Sequence, residues 1–554
     1  MTSCPFEEPL LAVENIQGHI LTPFNRARET HVYVAAEDAR ALRRLLAHLL
    51  PLVTPMGHLL RAAGRDATNE AQGRVLAHVG LGYRAISLLR PDDAARFADI
   101  AFREGMSERS IDVLRDPVDA SEGEARRGNR RRWLFGGPHN PVDVAVLLAA
   151  DDEAPLREAR DRLIAVIDEI GAEAPRGPSN AASLRVVHVQ EAALLPPPFE
   201  AREHFGYRDP ISQPGVRGRV NDAPDAFLTR RTNPANPHQG KPGQDLLWPG
   251  EFVFGYPRQD RFAETTIPPG PDSLEEARRV RALEPVTGPA APAWAKDASF
   301  LVVRRLSQDV AAFRSFLARV AQELQVEEEL VAAKLMGRWR SGAPLMRTGL
   351  GPDDPSLGPD DAVNNDFVFA DDPDGLVCPF AAHIRKTFPR DDRGTVSQTI
   401  LSAPGEAYRV GDFRDVPPVG EVRTQTHRIL RRGIPFGPLY EPGSEGADRG
   451  LLFVCFQTSI QDQFEFVTRW MNSPDFKDRA LEDGTLQTGH DLIVGQSHGG
   501  GTRERRFRLL LALGEERKDV VLTTTTEWVT ASGGGYFLSP SLEALRLFVR
   551  GTEE

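Results

Sequence analysis

Cysteine is scarce in this chain: three residues among 554, Cys4, Cys378 and Cys455, with no CxxC pair and no Cys/His pairing of zinc-ligand spacing. That odd, sparse count excludes a disulfide framework and fits a reducing compartment, so a cytoplasmic protein is expected. No run of about 18 apolar residues occurs, so no helical membrane span is expected. The opening MTSCPFEEPLLAVENIQGHIL is acidic and lacks a basic stretch leading into an apolar one, so no signal peptide is expected. Net positive charge is missing too. The balance is −12, and phosphate backbones demand net or clustered positive charge, so nucleic acid is not expected as a partner. The one short basic run, Arg126–Arg132 (RRGNRRR), is interrupted by Gly128 and Asn129 and reads as a solvated loop.

Core-forming material is plentiful, with 40% hydrophobic residues and 28 Phe. At roughly 100–200 residues per domain, two or more domains or one large composite core are expected. Gly (48) and Pro (44) are high enough to suggest long, ordered connections.

The first half has a regular order. HVYVA (31–35), GRVLAHVGL (73–81), PVDVAVLLAA (141–150) and LRVVHVQE (184–191) read as strands, and residues 37–52 and 154–171 carry apolar positions at helical spacing. The order is β-α-β-β-α-β, the ferredoxin-like pattern, whose antiparallel sheet leaves one face to be covered. The second half restarts with a strand at 300–306, helices at 309–323 and 326–338, a long irregular stretch over about 340–450, a strand at 451–457, a helix at 461–472 and a strand at 533–539. Two such sheets packed face to face would cover each other.

Three stretches carry chemistry. HFGYRDPISQPG (204–215) holds one carboxylate, Asp209, in a loop dense with turn residues. CPFAAHIRKTFPRDD (378–392) places His383 four residues after Pro379, and a short helix over about 379–386 is expected, stopping before Pro389. Small neighbours, Ala381 and Ala382, would let something large and flat approach the imidazole, and Arg385 and Arg390 could reach carboxylates at its edge, which is a description of haem ligation. On spacing alone, a helix-capping histidine in a cationic loop accounts for the same pattern. THRILRRGIPFG (426–437) sets two arginines before a tight turn, where a permanently protonated side chain could hold a developing anion.

Together these stretches resemble the dye-decolourising (DyP-type) haem peroxidases, most closely their longer bacterial and fungal members. NIQGHIL (15–21), GEFVFGYP (250–257), GLLFVCFQTSIQDQFEFVTRWMN (450–472) and GGGYFLSPS (533–541) extend the resemblance over nearly the whole chain in family order. The resemblance implies an α+β fold of two ferredoxin-like units with antiparallel sheets packed face to face: residues 1–240 carrying the aspartate loop, and residues 241–554 holding b-type haem (iron protoporphyrin IX). It implies that His383 is the axial iron ligand, that Asp209 and Arg431 act on the other side of the iron, that Arg385 and Arg390 hold the haem propionates, and that Leu451 and Phe453 line the pocket. Asp462 and Glu465 are the candidates for orienting His383 through its other ring nitrogen.

The implied activity is reduction of hydrogen peroxide with one-electron oxidation of dyes, phenols or other organic donors. Donors too bulky for a buried pocket would need a surface Trp or Tyr, and Trp339, between Arg338 and Arg340, is the only Trp whose flanks suggest exposure. One position departs from the family: the glycine that usually follows the aspartate is Pro210, which restricts Asp209 to an extended backbone and leaves the direction of its carboxylate open. That departure sustains a rival reading, a haem carrier or sensor without competent peroxidase turnover. The chain ends LRLFVRGTEE with no Gly/Pro-rich tail, so packaging as cargo of a protein nanocompartment is not expected. Self-association is left open.

Overall fold

The computed structural model describes all residues except 1–6, 65–73, 119–126, 174–181, 235, 237, 260–284, 287–290, 370, 391–398, 403–405, 410–423, 475–487, 498–502, 515 and 552–554. Cys4 and part of the basic run at 126–132 lie outside the described residues.

The first half forms β1 (Arg28–Ala36), α1 (Ala39–Leu49), β2 (Leu76–Leu81), β3 (Val144–Ala150), α2 (Glu153–Glu173) and β4 (Leu184–Ala193). The strands pair antiparallel in the order β2-β3-β1-β4. Local chemistry explains the elements. β3, VAVLLAA, is buried along its whole length, as a central strand covered on both faces should be. Asp38 caps α1 by accepting from the Ala41 N–H, and Leu42, Leu45, Leu46 and Leu49 form its buried stripe.

The second half repeats the order with insertions: β5 (Ser299–Gln308), α3 (Val310–Leu324), α4 (Glu328–Met336), α5 (His383–Thr387), β6 (Leu430–Arg431), β7 (Ile434–Phe436), β8 (Gly450–Gln457), α6 (Phe466–Asn472), a hairpin β9 (Arg505–Leu513) and β10 (Glu516–Thr524), β11 (Val529–Ser539) and α7 (Leu542–Arg550). Its strands run β6-β8-β5-β11, with β7 also on β8. The order matches the first half element for element, in agreement with the α+β ferredoxin-like expectation.

The two halves are joined into one sheet by a single pair, Leu81 in β2 with Leu538 in β11. Gly80 permits that approach, because a Cβ there would lie 2.8 Å from the Leu301 side chain and 3.0 Å from Phe537. The sheet also curls: β7, at one end of the strand order, packs on β4 at the other, and Arg305 of β5 donates to Gln190 of β4 at 2.6 Å. The half-sheets therefore face each other across a core of Tyr33 and Leu147 from one and Leu301, Val303, Val454 and Phe456 from the other. Truncating such a buried leucine to alanine costs about 2–5 kcal/mol.

The helices cover the outer faces. α1 and α2 pack on the first half; α3, α4 and the β9–β10 hairpin form a separate core around Phe313, Phe316 and Trp528. That hairpin has no counterpart in the sequence reading. The helix expected over 379–386 instead starts at His383, because Ala382 adopts an extended backbone (ψ 139°) and Pro379–Ala382 form a turn. Among the described residues, no helix is long and apolar enough to cross a membrane.

Candidate functional site

A cavity of about 1980 Å³, including the space at its mouth, lies between the second-half sheet and the helices α4, α5 and α6. Its lining is mostly apolar and draws on residues spread from Leu114 to Ala531. The sheet wall is built by β5, β8 and β11 with the loop around Asp209, and Leu451 and Phe453 are part of it. The helix wall carries His383.

His383 is the first residue of α5. Its Nδ1 lies 2.7 Å from Asp491 Oδ2. Asp491 is fully buried, and its other oxygen accepts from the Ile493 and Val494 N–H groups at 2.9 and 3.3 Å. A carboxylate can only accept here, so Nδ1 carries the proton and Nε2 offers its lone pair to the cavity. Asp491 thus does what Asp462 or Glu465 was expected to do. Asp462 is bonded to Ser459 at the turn before α6, while Glu465 is occupied by Arg109 at 2.6 and 2.7 Å and by the Tyr536 hydroxyl at 3.0 Å.

Opposite in function is the pair Asp209–Arg431. Arg431 Nη1 donates to Asp209 Oδ1 at 3.0 Å, and Nη2 donates to the Ser212 carbonyl at 3.0 Å. Both side chains are about a third exposed or less, 31% and 28%, and both line the cavity. The loop carrying Asp209 is pinned at several points. Glu203 accepts from the Phe205 and Tyr207 N–H groups at 2.9 Å each. The Tyr207 hydroxyl donates to Ala332 O at 2.8 Å, and His204 Nε2 donates to Phe436 O at 2.9 Å. Gly206 turns the chain at φ +96°, a conformation that only glycine adopts freely. Pro210 does not turn the carboxylate of Asp209 away from the cavity.

The two expected propionate arginines separate. Arg390 lines the cavity, 7% exposed, with Nη1 on the carbonyls of Asn365 and Phe367 at 2.9 and 3.1 Å. Arg385 does not reach the cavity. It is fully buried behind α5, with its guanidinium on the Asp372 carboxylate at 3.1 Å, Cys378 O at 2.6 Å and Asp372 O at 3.0 Å, between the rings of Phe369 and Phe380. An arginine with a buried carboxylate of its own has no reason to face a ligand.

Arg428, which the sequence reading passed over, does face the cavity. It is 8% exposed, lies 3.5 Å over the Phe388 ring, and forms no ion pair with a described carboxylate. Burial pulls its pKa down to about 9, opposed by Asp245 and reinforced by Arg390 and Arg431. Such a cation calls for an anion from outside the protein. Its only sequence signal is its place in THRILRRG, three residues before Arg431. Trp339 is 7% exposed with its indole N–H on Thr348 at 3.0 Å, so the flanking arginines misled about its exposure.

The chemistry of this donor set is specific. Among the described residues, no group of three or more His, Cys, Asp or Glu could cage a bare ion. A metal on His383 Nε2 would have to bring its remaining ligands with it. A mostly apolar slot, the cavity-facing Nε2 of His383 and the buried Arg428 guanidinium with no ion pair to a described carboxylate fit a planar metal macrocycle bearing carboxylates.

Comparisons with known proteins agree. A family model described as Dyp-type peroxidase, C-terminal, matches residues 419–490. The chain is similar to the dye-decolorizing peroxidase msp1 of Mycetinis scorodonius, 28% identical over 97% of this chain and 87% of that protein. It is similar to the multifunctional dye peroxidase DyP2 of an Amycolatopsis species, 26% identical over 97% and 96%. Among solved structures, an ancestral D-type dye decolorizing peroxidase matches with a TM-score of 0.70 and 28% identity over 97% of this chain and 99% of that one. A point mutant of the dye-decolorizing peroxidase from Pleurotus ostreatus matches with 0.68 and 27% over 98% and 100%.

Proposed function

We infer function from one premise: this chain belongs to the family of Dyp-type peroxidases. It is a haem peroxidase that reduces hydrogen peroxide and oxidises dyes, phenols or other organic donors in one-electron steps. The observation that carries this reading is the placement of the Asp491-oriented imidazole of His383 and the Asp209–Arg431 pair around one large cavity.

The cofactor in this reading is haem b. His383 Nε2 would ligate its iron, Arg428 and Arg390 would pair with its propionates, and Leu451 and Phe453 would pack on the macrocycle. Bound haem supplies the iron at which the peroxide O–O bond breaks and the oxidising equivalents that donors then consume. The rest is done by the chain. Asp209 accepts the proton from one peroxide oxygen and returns it to the other, so that the latter departs as water; its Oδ2 is the oxygen not engaged by Arg431. Arg431 keeps its charge throughout and faces the negative charge that develops as the bond breaks. Asp491 holds the His383 ring in one tautomer and makes Nε2 the better donor. The partial exposure of Asp209 and Arg431 leaves room for a molecule as small as peroxide to arrive.

A boundary near residue 240 is part of the same reading, with the N-terminal segment contributing the Asp209 loop and the C-terminal segment the rest of the site. So is a cytoplasmic location, supported by the odd, sparse cysteine count of three in 554 residues.

An absorption spectrum of the haem-reconstituted protein, before and after hydrogen peroxide and then with a phenolic or anthraquinone donor, tests the reading. Stoichiometric haem, a spectral change on peroxide and its reversal by donor are expected. Full haem loading with no response to peroxide would assign the protein to haem carriage or sensing.

A further inference from the structure

We propose that Gln213 is a positioning residue for the peroxide chemistry: its side-chain amide seals the open edge of the sheet at Arg431 and so sets where the Arg431 guanidinium meets the Asp209 carboxylate. The proposal rests on the peroxidase reading for its consequence and on geometry for its substance.

β6 is the terminal strand of the sheet. Along a strand, successive residues point their N–H and C=O to alternate sides. The Arg432 N–H donates to Val454 O in β8 at 2.7 Å, so the N–H and C=O of Arg431 point the other way, over the free edge. Unpaired, the N–H would be left to water or to another chain, while the carbonyl already accepts from Arg432 Nη1 at 2.9 Å. Gln213 takes both: the Arg431 N–H donates to its Oε1 at 3.2 Å, and its Nε2 gives Arg431 O a second donor at 3.0 Å. One backbone donor and one backbone acceptor leave no ambiguity about which amide atom is which.

The same loop also holds the far end of Arg431. Asp209 takes Nη1 and the Ser212 carbonyl takes Nη2, each at 3.0 Å. A closed ring results: Arg431 backbone, Arg431 side chain, Asp209, the chain from 209 to 213, and the Gln213 amide back to the Arg431 backbone. A long side chain fixed at both ends cannot swing, and a carboxylate tied to it cannot drift. Gln213 is the link that ties the loop to the strand rather than to the guanidinium. Its own carbonyl accepts from Gln244 Nε2 at 3.3 Å. Displacement by about 1 Å at a reacting centre can cost on the order of 10²-fold in rate.

The test uses the ferric holoenzyme as wild type, Gln213→Met, Asp209→Asn and the double variant. Methionine keeps the volume and removes both hydrogen bonds; if it fails to load haem, Gln213→Asn, which retracts the amide, takes its place. The measurements are the second-order rate of reaction with hydrogen peroxide and the affinity for cyanide, followed by absorption. Gln213→Met is expected to load haem fully, to react with peroxide roughly tenfold more slowly, and to bind cyanide more weakly. In the Asp209→Asn background the same substitution should change either quantity by less than about twofold, because residues that act as a unit are non-additive. An equal loss in both backgrounds means that Gln213 merely seals an edge and overturns the proposal, as does wild-type behaviour of Gln213→Met in both measurements. If wild-type holoprotein ignores peroxide, the peroxidase reading fails, and the cyanide arm still decides the role of Gln213.

Discussion

The helix wall and the sheet wall of the cavity are held by different devices. On the helix wall a single buried contact does most of the work: Asp491, itself anchored by two backbone N–H groups, aims His383. On the sheet wall no single contact dominates. Asp209 and Arg431 are held to one another and to the backbone of a loop that is pinned elsewhere. On the proposed function, the difference follows from the tasks. A ligand to a metal needs one fixed direction and is best served by a dry, strong hydrogen bond. A proton carrier must admit a small reactant, so it stays partly open and its orientation has to be distributed over many contacts.

The largest effect should come from the single-contact side. His383→Ala removes the imidazole that Asp491 orients toward the cavity, and loss of stable haem binding is expected, read as the disappearance of the haem absorption band after gel filtration. Asp209→Asn should keep haem while slowing the reaction with peroxide by about 10²–10⁴-fold, the usual contribution of a positioned proton carrier. A near-normal rate in that variant would remove Asp209 from the proton path and reverse the assignment of tasks. Asp491→Asn keeps an acceptor and loses the charge; haem affinity or peroxide reactivity is expected to fall about 10–100-fold, by titration of the apoprotein with haem and by stopped-flow. The smallest effect separates two arginines. Arg428→Gln should weaken haem binding by about tenfold and leave the melting temperature nearly unchanged, because one charged hydrogen-bonding partner of a propionate at the cavity's edge contributes about 1.5 kcal/mol, the low end of the usual range. Arg385→Gln should do the reverse, lowering the melting temperature, because it strands the buried Asp372 carboxylate.

The reach of the sequence differs across these same residues. Strand β3 and the helical stripe of α1 are visible in VAVLLAA and ARALRRLLAHL, since alternation and periodicity are properties of neighbours. His383 and Asp209 are marked by stretches dense with Pro, Gly and Ala, whereas Arg431 is picked out from its neighbours by the family resemblance and not by composition. Asp491 does not stand out. It lies 108 residues from His383, and the turn that follows it accounts for an aspartate there without any reference to a site. Both the spacing of Arg385 from His383 and the family resemblance point it to the cavity, and only the presence of Asp372 behind α5 shows that it faces away. Arg428 shares its stretch with two other arginines, and nothing local tells the three apart.

The amino-acid sequence alone determined most of the elements: the β-α-β-β-α-β order of the first half, the restart of strand and helices in the second, the rigidity of the three site-bearing stretches, and the residue types they carry. These follow from interactions within a few residues, where periodic burial and turn geometry act. The tertiary structure decided which polar groups meet: His383 with Asp491, Asp209 with Arg431, Arg385 with Asp372, and Arg428 with an open cavity. A buried charge must find its partner wherever the folded chain brings one, and the curl of a sheet that closes β7 onto β4 is set by the packing of both halves at once.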